Sequence, residues 1–380
     1  MPPKTPIARF ALLFALAVCS LSLAEESHAA GRVFVANTLS SSVSVIDDAT
    51  GALIATIPVG VRPIRIVASQ DGRKAYTSNF VGGTVSVIDT VNLVVTATIP
   101  VPPAPQESDI SIDGTRLFVV HHTEQLVSVI DLATNTVVNV ISIGDPHQGT
   151  PGRTATDITF SPNGHYAYVP NYSRNVLDTI DTQTYAVTEI PTGAQPRRVA
   201  VSPNGKRVFV ANFEGDSVTA ADVRRLQVLG TIPSGDAARG IAVTPRSTEV
   251  WVTNVNEETV SVISSGSLAL LTKIPVESRP WNIIFNRDGS RAIVSNTGSD
   301  TISVIDTAAR TVIKTVPVGN GPFFAVYNQD ESRLYISNSE SHIKDDPGSL
   351  TIIDTADYTV IGSVVLQLQP FDLTYVNPVL

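Results

Sequence analysis

Residues 62–101 read RPIRIVASQDGRKAYTSNFVGGTVSVIDTVNLVVTATIPV, and this stretch divides at its own punctuation. Arg62 to Ser69 is predicted as a first strand, Gln70 to Arg73 as a turn and Lys74 to Ser78 as a second strand. Val85 to Asp89 follows as a third and Leu93 to Val101 as a fourth. Valine and isoleucine alternate with serine and threonine, the period of two that a pleated strand needs, and no helical spacing competes with it. Asp71-Gly72 supplies residues that tolerate positive φ, as a tight hairpin requires.

The unit recurs on both sides. Asn79 has counterparts at Asn37, Asn171, Asn212, Asn254, Asn296 and Asn338, with His121 in the remaining slot, at successive spacings of 42, 42, 50, 41, 42, 42 and 42 residues. A period of about 40 to 45 residues containing several short strands is that of a propeller blade. Eight copies predict an all-β, eight-bladed propeller of four-stranded blades. The hairpin signal returns at Asp113-Gly114, Asn163-Gly164, Asn204-Gly205 and Asp288-Gly289. Asp47, Asp89, Asp131, Asp181, Asp222, Asp306 and Asp354 end the third strands, where a short carboxylate is expected to accept backbone N–H groups of the next turn. The asparagine column is expected to close the following loop in the same way.

The first repeat begins with a second strand, Val33 to Ala36, and Pro370 to Val376 at the other end carries the pattern of the first strands at Pro63, Pro196, Pro280 and Pro322. Pairing of the two ends would complete a composite blade and leave no open sheet edge. Met1 to Ala30 stand outside the repeat. Lys4 and Arg9 precede the apolar run Phe10 to Ala24, and Ser27-His28-Ala29 offers small residues for cleavage, so residues 1–30 read as a secretory signal and 31–380 as one propeller domain. The run is short of the ~20 residues needed to span a bilayer. The protein is thus expected to be exported, periplasmic or extracellular, as a monomer without a membrane span. Its one cysteine, Cys19, leaves with the signal, which excludes disulfides and thiolate chemistry from the mature chain. A net charge of −9 argues against nucleic acid as a partner.

Phe34-Val35-Ala36-Asn37, Tyr76-Thr77-Ser78-Asn79, Trp251-Val252-Thr253-Asn254 and Tyr335-Ile336-Ser337-Asn338, with the recurrent Val-Ser-Val-Ile-Asp and Ile-Pro-Val-Gly, resemble the YVTN family of β-propeller repeats. The resemblance spans nearly the whole mature chain and implies the fold. It leaves function open, since similar propellers include surface-layer proteins, lactonases, haem d1 binders and proteins of quinone-dependent oxidation. Many members have seven blades, the alternative to the eight counted here.

Binding is expected on the face that carries the loops between second and third strands and the loops leaving the fourth strands. Two insertions lengthen that face, Gly144 to Asp157 and Ser339 to Ser349, the latter with His342, Lys344, Asp345 and Asp346. In the third unit His121 and His122, with Glu107, Asp109 and the neighbouring His147, form a candidate set for zinc, iron or copper; His122 is alternatively a general base. His121 as a mere asparagine substitute is the bland reading. Arg62, Arg65, Arg197, Arg198, Arg239 and Arg279 recur at the starts of first strands, near the central channel, and suit a carboxylate or phosphate ligand. Glu107, Asp157 and Asp372 occupy the Arg65 position in other units, so this ring is also able to pair with itself. Trp281, Phe323, Phe324 and Phe371 share one level and form either an apolar wall for a ring-shaped ligand or packing between blades. No strong catalytic motif is present. The sequence therefore supports two functions: an exported non-catalytic scaffold that binds a protein, glycan or small anionic ligand, and a periplasmic enzyme or cofactor carrier acting on a metal, tetrapyrrole or lactone.

Overall fold

The computed structural model describes residues 31–144, 155–339 and 347–377. These residues form eight four-stranded antiparallel sheets whose innermost strands touch their neighbours around a ring, an eight-bladed β-propeller without helices. No helix among the described residues is long and apolar enough to cross a membrane. Blade 2 is representative: Pro63–Ala68 lies at the axis, followed outward by Lys74–Asn79, Thr84–Asp89 and Val94–Pro100. The expected turn is in place, with Gly72 at φ 68°.

Blade 1 is the composite one. Pro370–Val376 is its axial strand and pairs with Arg32–Asn37, setting Arg32 opposite Val376 and Phe34 opposite Thr374, with Ser42–Asp47 and Leu53–Pro58 outside. Asp48 fastens this seam to blade 8 by accepting hydrogen bonds from the Tyr335 hydroxyl and, at 2.7 Å, the Tyr375 hydroxyl; Arg333 lies 3.5 Å away.

The apolar core lies between blades rather than under one sheet. Phe34, Val43 and Val45 of blade 1, for example, pack on Ile66, Ala75 and Ile88 of blade 2. Because blades are covered on both faces, the two middle strands of each are buried almost throughout, including their serines and threonines. The asparagine column gives those hydroxyls partners. Asn79 Nδ2 donates to Thr84 Oγ1 at 3.0 Å and to Ser86 Oγ at 2.9 Å, and Asn37, Asn212, Asn254 and Asn296 repeat the pair of bonds five and seven residues on. Buried polar groups are tolerated when they are bonded, so this ladder lets a polar column run through the core. Asn338 makes the same bonds across the longer loop, to Ser349 and Thr351.

The aspartate column acts as its spacing predicts. Asp89 Oδ1 accepts the N–H groups of Val91 and Asn92, both at 2.8 Å, and Asp131, Asp181 and Asp222 repeat the motif. Those N–H groups hold Asp89, Asp131 and Asp181 below the usual carboxylate range. Blade 6 has Ser264 in this position, whose hydroxyl accepts the Ser267 N–H. Of the two insertions, residues 145–154 and 340–346 lie outside the described residues, and with them His147, His342, Lys344, Asp345 and Asp346.

Candidate functional site

Among the described residues, seven axial strands start from the same bend. The residue before the first position is left-handed at Arg62, Ala104, Gln195, Ala237, Arg279, Gly321 and Gln369, with φ from 52° to 64°. Its carbonyl then accepts the N–H that follows the column asparagine or His121, as in Phe80 to Arg62 and His122 to Ala104, both at 2.9 Å. Non-glycine residues adopt this conformation at a cost, which the recurring bond offsets. Immediately afterwards the pairing register slips, between Pro63 and Arg65, Pro196 and Arg198, Ala238 and Ile241, and Pro280 and Asn282. Such irregularities bend a strand and re-aim its side chains. Here they place two successive residues of a strand at the channel.

Those residues surround a cavity of about 430 Å³ at the mouth, within the usual range for small-molecule sites. Arg62, Arg197, Arg198 and Arg239 line it, together with Glu107 and His122. The arginines are braced by aromatic rings. Arg62 Cζ lies 5.7 Å from the centre of Phe80, Arg197 is sandwiched between Tyr172 at 5.0 Å and Phe213 at 4.2 Å, and Arg239 covers Trp281 at 3.2 Å. Stacking uses the flat face of a guanidinium and leaves its N–H fork in the plane, the geometry that grips carboxylates and phosphates bidentately. Beside these charges lie apolar rings. Trp281 and Phe371 face the cavity, while Phe323 and Phe324 are buried behind them, with ring centres 5.1 Å apart for Trp281 and Phe323 and 5.3 Å for Phe324 and Phe371. All four rings join the packing between blades, and Trp281 and Phe371 also line the cavity.

Below the mouth the channel is filled by a charged belt. Glu107 stands between two arginines, 3.4 Å from Arg65 Nε and 3.8 Å from Arg198 Nη2. Asp372 pairs with Arg65 and Asp157 with Arg198, each at 3.4 Å. The second oxygens of these aspartates accept backbone N–H groups of the neighbouring blade, Ile66 at 2.8 Å and Val199 at 2.9 Å. Burial pushes Asp157 up to about 6 against the opposing pull of Arg198, and raises Asp372 and Asp109 as well. The self-pairing foreseen for this level is therefore found. It also explains why Arg65, in the same column as Arg198, lies under the floor and does not line the cavity.

The histidines part company. His122 lines the cavity, its ring centre 6.0 Å from that of Phe80 and its Nδ1 3.4 Å from the Ala155 carbonyl. His121 is fully buried. Its Nδ1–H donates to the Pro103 carbonyl at 3.0 Å, and Nε2 accepts from the Ser128 hydroxyl at 2.8 Å, reaching the same slot as the Asn79 bond to Ser86 with donor and acceptor exchanged. The carbonyl is an acceptor only, which assigns the Nδ1–H tautomer. Asp109 accepts the Ile110 N–H below the mouth, and Arg279 is exposed on the rim, away from the cavity lining. Among the described residues no three His, Cys, Asp or Glu side chains converge as a metal-binding group. Sequence reasoning overlooked Phe80, Tyr172 and Phe213, all directly after the column asparagine, a position whose aromatic run through blades 2 to 5 is visible once the repeats are aligned.

Burial lowers His121 to about 4, so the folded protein holds it neutral. A histidine depressed on folding contributes stability that is complete above its unfolded value, near 6.5, and is lost as pH falls toward 4. Replacement by the column residue, His121→Asn, is expected to raise the melting temperature at pH 4.5 by several degrees and to change it little at pH 7.5. Thermal melts at the two values check this, and an equal shift at both would contradict it.

Residues 57–155 match the family model described as a YNCE-like beta-propeller. Among solved structures, the chain is similar to NirN, titled dihydro-heme d1 dehydrogenase in complex with DHE, at 16% identity and a TM-score of 0.74, over 92% of this chain and 75% of that one. Hydrazine synthase of Kuenenia stuttgartiensis aligns at 22% identity and a TM-score of 0.61, over 77% and 96%. A functionally unknown protein of Desulfotomaculum acetoxidans aligns at 18% and 0.60, over 75% and 95%. No curated protein matches. At these identities the structural likeness is one of fold.

Proposed function

We propose that this chain, a YVTN-like β-propeller, is an exported binding protein whose channel mouth takes a small anion with a planar, apolar body. One observation carries the reading: three arginines from blades 2, 5 and 6, each stacked on an aromatic ring, line a single cavity together with Trp281, the ring that Arg239 covers, and Phe371. A guanidinium fork engages an ionised group far more strongly than a neutral one, and an aromatic wall favours a flat partner. The charged lining is mainly guanidinium, which suits holding a ligand better than transforming it. The NirN structure contains a ligand named DHE, so a carboxylated tetrapyrrole belongs among the compounds to test; Arg62, Arg197 and Arg239 are the residues that would hold its carboxylates. The signal-like segment at residues 1–30 supports an exported location.

Benzene-1,3,5-tricarboxylate, a carboxylated porphyrin and the neutral trimethyl ester of the first compound make a discriminating set. Trp281 lines the cavity and Trp251 is fully buried, so quenching of tryptophan fluorescence reports occupancy. The acids are expected to bind and the ester not. Loss of charge-assisted bonds worth about 1.5–3 kcal/mol each should weaken binding at least tenfold in Arg197→Ala and in Arg239→Ala. Equal binding of acid and ester would sink the proposal.

A further inference from the structure

The belt beneath the mouth carries more negative than positive groups. Arg65 and Arg198 face Glu107, Asp157 and Asp372, with Asp109 close enough to influence Arg65. Of these, only Arg198 and Glu107 also line the cavity, so they alone join the ligand space to the belt. Arg198 is shared: it pairs with Asp157, approaches Glu107 and lies 5.4 Å from the centre of Phe324. An anion at the mouth competes for that same guanidinium. Glu107 retains Arg65, and Asp372 has Arg65 as its partner. Asp157 has no second cation at pairing distance among the described residues; what remains to it are the N–H groups of Ile158 and Val199.

Building on the anion-binding reading above, we propose that the site takes up its anion together with a proton: the anion draws on Arg198, and the carboxylate of Asp157 is protonated in exchange. The balance is simple. One solvent proton joins one carboxylate oxygen, the Arg198 charge turns from Asp157 to the ligand, and the belt becomes more positive by one charge, which offsets one negative charge brought in by the anion. Once Arg198 is engaged elsewhere, burial and the charge of Glu107 favour the protonated carboxyl, and what opposes them is the more distant charge of Arg65 and the N–H groups of Ile158 and Val199. Burial already pushes the Asp157 carboxyl up to about 6 while Arg198 is its partner, and drawing that guanidinium away moves it further in the same direction. Asp372 remains paired with Arg65, which does not line the cavity, and is left out of the exchange. The consequence is selectivity: at equal geometry, the mouth holds anions more tightly as the medium acidifies.

Titration calorimetry with benzene-1,3,5-tricarboxylate, run at pH 7 in buffers of different ionisation enthalpy, counts the protons exchanged on binding. The expected result is an uptake approaching one proton per ligand and an affinity that weakens close to tenfold per pH unit above neutrality. In Asp157→Asn the uptake should vanish and the affinity should become nearly independent of pH. Binding by the unsubstituted protein without proton uptake would overturn this proposal and leave the anion site standing. Absence of binding at any pH from 5.5 to 8 would overturn both. Undiminished uptake in Asp157→Asn would place the proton on another group and refute the assignment.

Discussion

A chain ending at Gln369 is expected not to fold cooperatively. The deleted strand, Pro370–Val376, is the axial strand of blade 1, and Leu373, Val376 and Asp372 on it are buried. Removing it exposes one edge of Arg32–Asn37, whose Val33, Phe34 and Val35 are fully buried in the closed ring. It also takes away Tyr375 from the Asp48 junction and Asp372 from Arg65. Each buried aliphatic side chain is worth about 1.5–3 kcal/mol, and a domain has only about 5–15 kcal/mol to lose. Losing Leu373 and Val376, stranding the Arg65 charge and opening a sheet edge together come to the order of the whole. The truncated protein should show a broad, shallow thermal transition and a tendency to aggregate through the open edge. Adding a synthetic peptide of residues 370–380 should restore part of the transition. A sharp unfolding transition in the truncated chain, near that of the full protein, would show that the ring is held shut elsewhere.

Asp178→Ser is expected to stabilise the protein at pH 8 and to do little at pH 5. Asp178 occupies the slot seven residues after the column asparagine that is Ser or Thr in the other blades, where Asn171 Nδ2 donates to its Oδ2 at 2.9 Å. It is fully buried, and burial raises it to about 7, with the Asn171 bond and the charge of Arg174 pulling the other way. A carboxyl raised on folding binds more protons folded than unfolded between its two values. Stability therefore falls as pH rises from near 4 to about 7 and stays low above. At about 1.4 kcal/mol per unit of displacement, the cost of an ionised Asp178 at pH 8 is on the order of several kcal/mol. Serine restores the hydroxyl of the other blades without a charge. Denaturant unfolding at pH 5 and pH 8 measures the effect, and a variant no more stable than the parent at pH 8 would refute it. His121 and Asp178 thus tilt the pH profile in opposite directions from equivalent ladders, one losing stability in acid and the other in base.

The ring was readable from recurring spacing, because the asparagine and the terminal aspartate each recur in seven of the eight units and the Asp-Gly or Asn-Gly turn in five. Closure was readable as well, since Pro370 to Val376 repeats a pattern whose only vacant place lies beside the first strand. The mouth was legible in part. Arg62, Arg197, Arg198 and Arg239 emerge from a column and do line one cavity, but adjacent positions of an axial strand stand at different depths. This depth order depends on the register slip, which no residue pattern announces, and so Arg65 could not be told from the others. His121 illustrates the reverse case. Its unusual identity suggested chemistry, whereas its place in the ladder made the ring a hydrogen-bonding substitute for an amide. Asp178 had the same kind of signal and was passed over, because a single carboxylate among polar residues is unremarkable until its burial is known.

The slipped axial strands have a consequence for how such a molecule diversifies. The axial strands deliver one or two residues each to the mouth, such as Ile64, Gln106-Glu107 or Arg197-Arg198, while the middle strands behind them supply most of the hydrophobic wedge holding each blade in place. Rewriting one such set alters the chemistry offered at one bearing around the axis while the remaining bearings keep theirs. Recognition in this architecture is therefore a circular text, open to editing one sector at a time.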